Sequence, residues 1–130
     1  MRYAFLFFSV VITFGITGCS PKLASHVSNP LTTLNSDEPV AFLDVEHELP
    51  DDLIKVGSLR FQDSGFSTDC SFNSLLNKAR IEARKNGANI VKVTDTKKPD
   101  LWSSCYRLQI DLYRYNGDVA KLKQYELKLD

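Results

Sequence analysis

The sequence lacks the marks of the commoner chemistries. It has no C-x-x-C, no H-x-x-x-H and no calcium-loop spacing, so no metal site is legible in it and no cofactor is expected. It has no GxGxxG, no P-loop and no GxSxG, which removes the motif-bearing nucleotide-binding and serine-hydrolase classes. It also lacks an excess of either charge, with 16 Lys+Arg against 16 Asp+Glu. A nucleic-acid binder would carry a basic footprint, so no nucleic-acid partner is expected. Long apolar runs are missing too. The longest, "YAFLFFSVVITFGITG", is 16 residues, whereas a membrane span needs about 20.

That run, with Arg2 before it and no charge inside it, reads as a secretory signal peptide over residues 1–18. Its end, "ITGC", resembles the lipobox of bacterial lipoproteins: a branched apolar residue, two small ones, then cysteine. The chemistry fits. A thiol accepts a diacylglyceryl group by thioether linkage, and Thr17 and Gly18 are small enough for a peptidase cleft to cut before Cys19. Cys19 is therefore the expected lipidation site. Buried acyl chains contribute roughly 0.8 kcal/mol per CH2, and two or more make attachment stable. Ser20 is not the aspartate that retains lipoproteins in the inner membrane of enteric bacteria, so an outer-membrane position facing the periplasm is expected for a two-membrane source.

Residues 1–18 hold one arginine and no acidic residue, so the remaining 112 carry 15 basic and 16 acidic residues. That length suffices for one small domain. Residues 20–38, "SPKLASHVSNPLTTLNSDE", show neither helical nor strand periodicity and read as a flexible tether behind Cys19, with His26 solvated. The domain is expected over 39–130. Of three cysteines, lipidation takes one, which leaves Cys70 and Cys105 as an even pair in an oxidising compartment, the usual setting for a disulfide.

Within the domain, "VAFLDVEHEL" alternates and reads as a half-buried strand with Asp44, Glu46 and Glu48 on its wet face and His47 on its apolar side. "PDD" turns the chain into a second strand, "LIKVGSLRFQ", with Gly57 as a bulge or close-packing point. Asp69 or Ser71 is the candidate N-cap of a helix whose stripe is Phe72, Leu75, Leu76, Ala79 and Ala83 and whose stop is Gly87. "ANIVKV" and "CYRLQIDLYRY" are two more strands. The tail "DVAKLKQYELKLD" fits a helix or a strand, its composition leaning to helix. The expected class is α+β: a small two-layer α/β sandwich in the order β-β-α-β-β, with one helix on an antiparallel or mixed sheet and one disulfide.

Candidate chemistry is sparse. A Cys–His nucleophile would need Cys70 or Cys105 beside His47. The "DVEHE" carboxylates are the candidate for a ligand- or metal-binding module, against a plain soluble strand face. Lys78, Arg80, Arg84 and Lys85 form a cationic helix face, solvated or set against an anionic envelope polymer. Trp102, Tyr113 and Tyr115 are candidate partner contacts, or cover for the second sheet face.

The lipobox, a linker, "VGSLRFQDSGFSTDC", a helix rich in Ala and Arg, "NGANIVKV" and "SCYR" together resemble the outer-membrane stress-sensor lipoproteins of the RcsF type, over roughly Leu53 to Tyr113. The resemblance implies a Cys70–Cys105 pair, a helix-to-strand turn at Gly87, Ala88 and Asn89, and a role in envelope stress sensing or signalling. The anchor, the tether and the lack of a catalytic constellation point to a non-enzymatic protein that acts through envelope-protein contacts. The second disulfide of that family has no counterpart here, and its long proline- and basic-rich linker is replaced by a shorter segment with fewer charges.

Overall fold

A computed structural model describes residues 20–65 and 67–128. The expected signal peptide and Cys19 lie outside the described residues. The elements are β1 (Lys22–Val27), β2 (Ala41–Leu43), β3 (Ile54–Gln62), α1 (Phe72–Lys85), β4 (Ile90–Lys97) and β5 (Arg107–Arg114), followed by a 3-10 turn at Val119–Lys121. The strands form one mixed sheet in the order β1-β3-β5-β4-β2, antiparallel except for the parallel β2–β4 pair. β3 and β4 are each antiparallel to β5 and so parallel to each other. A parallel pair needs a long return connection, and α1 supplies it across one face of the sheet. The expected α+β class, one helix on a mixed sheet, is what the chain adopts.

Helix α1 forms for local reasons. The Ser71 hydroxyl accepts from the Ser74 amide at 3.2 Å, Gly87 ends the helix at φ +80°, and Arg84 and Lys85 stand in the last turn, where cations suit the dipole. Leu75, Leu76, Ala79 and Ala83 are buried against Leu59, Phe61, Val91, Val93, Leu108, Ile110 and Leu112 from the sheet. Cys70, just before the helix, is bonded to Cys105, just before β5, with Cα atoms 5.1 Å apart. In the chain-entropy model this link stabilises the fold by roughly 3–4 kcal/mol.

The reading of residues 20–38 as a tether needs correction. Lys22–Val27 is an edge strand, paired antiparallel with β3 from Lys22↔Gln62 to Val27↔Gly57, and Pro21 is already buried. Gly57 is the close-packing point, since a Cβ there would lie 2.5 Å from the His26 carbonyl oxygen. The segment that follows closes the helix. The amides of Leu31 and Leu34 donate to the Asn86 and Arg84 carbonyls at 3.0 and 2.9 Å, and the Thr33 hydroxyl donates to Lys85 O at 2.9 Å. The last carbonyls of a helix have no partner within it, so the main-chain donors of a polar, unpatterned segment, joined by the Thr33 hydroxyl, can dock on them.

Three other expectations change. The strand at "VAFLDVEHEL" stops at Leu43, because Lys92 from β4 gathers the next turn: its ammonium donates to the carbonyls of Asp44, Val45 and His47 at 2.7, 3.1 and 2.5 Å. β2 and β3 are not a hairpin; β2 lies on the far edge beside β4. The described part of the tail is no α-helix. After the 3-10 turn it runs on irregularly, with Val119 buried on the sheet face opposite α1 and Tyr125 packed beside Phe72 at the start of α1. The Tyr125 amide donates to Phe42 O at 2.8 Å, so the tail rounds the β2 edge from one face to the other.

Candidate functional site

The face of the sheet opposite α1 is divided. At the β2 end, Ala41, Leu43, Ile90 and Val119 form a second small core with Leu53, Tyr113, Tyr115 and Leu122 around it. At the other end nothing among the described residues covers the sheet, and an open groove of about 490 Å³ lies on it.

Strand register builds this groove. Paired residues share a face, so Lys22 stands beside Gln62, Ala24 beside Arg60, and Arg60 beside Gln109. On β4 the register shifts between Val93 and Asp95, a bulge at Thr94. Val91 and Val93 face the helix with Leu112 and Ile110. Beyond the bulge, Asp95 and Lys97 pair with Gln109 and Arg107 and stand on the open face. Were the strand regular, with Thr94 occupying a ladder position of its own, the side-chain alternation would carry both charges onto the helix-covered face.

The charges in the groove are unequal. Asp63 and Asp95 line it, against Lys22, Arg60, Lys97 and Arg107. Arg107 is committed, donating to Asp100 Oδ2 at 2.8 Å and to Lys98 O at 3.0 Å. Its Nε is buried without a partner. Among the described residues Lys22, Arg60 and Lys97 make no ion pair.

Asp63 and Asp100 brace the loop that rims the groove. The Ser103 hydroxyl donates to Asp63 at 2.5 Å, and the Trp102 and Ser103 amides both donate to Asp100 Oδ1 at 2.9 Å. The Ser103 hydroxyl and the Gly65 amide hold the Asp63 carboxyl below the ordinary aspartate range, and the Arg107 guanidinium with the Trp102 amide does the same for Asp100. The braced tip carries Leu101 and Trp102, 100% and 92% exposed.

The candidate contact residues are therefore split. Trp102 rims the groove, whereas Tyr113 and Tyr115 lie at the far end of β5, half-buried around the second core. Burial, with the Asp111 carboxylate beside it, raises the Tyr113 phenol above its ordinary value. Asn89, buried, donates from Nδ2 to Tyr115 O at 2.8 Å and accepts from the Tyr115 amide at 2.7 Å, which fixes that segment as structure.

The other candidates disperse. Both cysteine sulfurs are in the disulfide, so neither is a free thiolate for His47, whose Nδ1 accepts from the Asp44 amide at 3.0 Å. The "DVEHE" residues mostly belong to a turn, not to one strand face, and among the described residues no three His, Cys, Asp or Glu side chains converge as metal ligands. On the helix, Lys78 is paired with Asp69 at 2.7 Å, Arg80 donates to the Asn77 side-chain oxygen and Arg84 donates to Glu38 O at 2.7 Å, so three of the four cations of that face are tied to the chain itself. Sequence reasoning missed the groove because the bulge at Thr94 and the pairing of β1 have no local signal. Among the described residues no helix is long and apolar enough to cross a membrane. The chain matches no protein-family profile, no characterised protein and no solved structure.

Proposed function

We propose that this is a lipid-anchored envelope protein of the outer membrane that acts without catalysis, by presenting the open half of its sheet to an envelope-protein partner, in the manner of an RcsF-like stress sensor or signalling component. The observation that carries the reading is the uncovered groove, whose Lys22, Arg60 and Lys97 make no ion pair among the described residues, on a domain otherwise closed by a helix, a tail and a disulfide. The partner surface that fits is acidic and hydrogen-bonding, since Gln62 and Gln109 lie among the cations. The lipobox-like "ITGC" supplies the anchor.

The test is in-cell photo-crosslinking from Gln109 and Arg60, with Ile81 on the exposed side of α1 as control. Discrete protein adducts from the groove that are absent from Ile81, and lost when Arg60→Glu accompanies the Gln109 probe, are expected. Equal labelling from both faces would remove the groove as a contact site.

The same cations favour a second reading, capture of an anionic envelope ligand. Calorimetry with an anionic envelope polymer separates the two: heat that disappears in Arg60→Glu supports ligand capture, and no heat leaves the protein partner.

A further inference from the structure

The apolar tip and the start of the domain lie together. Lys22 pairs with Gln62, the next residue is Asp63, and Asp63 accepts from Ser103, the neighbour of Trp102. Lys22, Lys97 and Trp102 line one groove. Pro21 is buried, so only Ser20 separates packed structure from Cys19, and two residues reach at most about 7 Å. A flexible tether over 20–38 would have let the domain wander; this one begins at the anchor.

Two large apolar side chains held in water by a stiff loop also need an explanation. The Asp100 and Arg107 bonds and the nearby disulfide fix the turn, so Leu101 and Trp102 are displayed without support from any other described side chain. Lys97 ends β4 and Lys98 opens the loop, both exposed. An indole beside a leucine with lysines flanking them is the side-chain chemistry of the membrane–water interface: the rings sit at headgroup level and the ammonium groups meet lipid phosphates.

We propose that the Leu101–Trp102 tip, with Lys22, Lys97 and Lys98 around it, seats on the phospholipid surface that carries the Cys19 anchor. The proposal rests on the anchor reading above. Acylation makes the contact intramolecular, so an apolar pair too small to recruit a free protein is enough to hold the domain down. The domain then stands with the β1 start toward the lipid: Lys22 and Lys97 at that end of the groove meet the phosphates, and the rows at Arg60 and Gln109 stay raised above it for the partner.

Trp102 is the single tryptophan of the chain, so its fluorescence reports this tip alone. The full-length acylated protein is reconstituted in vesicles of phosphatidylethanolamine with phosphatidylglycerol, and mass spectrometry of the N-terminal peptide establishes the lipid on Cys19. The expected result is a blue-shifted emission, quenched by phospholipids brominated high on their acyl chains and shielded from aqueous iodide. In the acylated variant with Leu101→Ser, Lys97→Ser and Lys98→Ser, bromolipid quenching falls several-fold while circular dichroism is unchanged. If the lipid is on Cys19 and the indole still emits as in water, open to iodide and untouched by bromolipid, the seating is overturned and the anchor reading stands. If Cys19 carries no lipid, the anchor reading fails and the seating fails with it.

Discussion

The two ends of the sheet are held by different forces. At the end bounded by Val27, Ile54, Ile90 and Arg114, the face opposite α1 is dry: Ala41, Leu43, Ile90 and Val119 are buried together, and the tail lies over them. At the end bounded by Lys22, Gln62, Lys97 and Arg107 that face is polar and uncovered, and order comes from the Cys70–Cys105 link and the Asp63 and Asp100 hydrogen bonds. Apolar burial is non-directional and consumes the side chains that produce it. A covalent and charge-assisted brace consumes none, so the second end can be rigid while its apolar residues, Leu101 and Trp102, point outward. The difference places stability at one end and contact at the other.

Removing the brace is the strongest challenge to this contrast. The Cys70→Ser, Cys105→Ser double variant should lose about 3–4 kcal/mol in denaturant unfolding. Hydrogen exchange should rise chiefly in 63–71 and 98–106; a rise spread evenly over both ends would break the comparison. At the opposite end, Val119→Ala removes buried methyl groups and should cost about 1–2 kcal/mol, with exchange rising around 41–43 and 113–122.

Acid sharpens the contrast further. The folded state holds Asp63 and Asp100 below the ordinary aspartate value, so their contribution is fully present above about pH 4 and is lost as pH falls through the lowered values. Exchange at the Trp102 and Ser103 amides, corrected for intrinsic rates, should be flat from neutral to about pH 5 and rise below about pH 4, ahead of the 113–122 segment. Protection that persists unchanged to about pH 2 would show that the carboxylates are not the brace. The smallest effect is expected at the tip itself. Leu101→Ser with Trp102→Ser should shift stability by no more than about 0.5 kcal/mol, because neither side chain is buried; a clear loss of melting temperature would mean the tip supports the fold.

The helix was legible to within its cap, which the sequence left open between Asp69 and Ser71. Ser71 before the stripe and Gly87 after it are local signals, and the structure uses both. The alternation of Leu108, Ile110 and Leu112 was equally plain, since β5 is the central strand and one of its faces is wholly under the helix. The alternation of "VAFLDVEHEL" misled, because a single lysine on β4 collects three carbonyls after Leu43 and turns the chain out of the sheet. The tether misled in the opposite sense. Residues 22–38 have no amphipathic pattern, and their order comes from pairing with β3 and from the unsatisfied carbonyls at the end of α1. Of the candidate site, Trp102 was named from the sequence, but its separation from Tyr113 and its nearness to Lys22 were not.

The amino-acid sequence by itself determined the α+β class, the extent of the helix and the even pair of cysteines, because caps, periodicity and counting act over a few residues or over none. Only the tertiary structure decided that β1 joins the sheet, that the Thr94 bulge turns Asp95 and Lys97 outward, and that Leu101 and Trp102 stand beside the start of the domain. Those outcomes depend on main-chain hydrogen bonds and strand register between segments tens of residues apart, and backbone groups leave no trace in side-chain pattern.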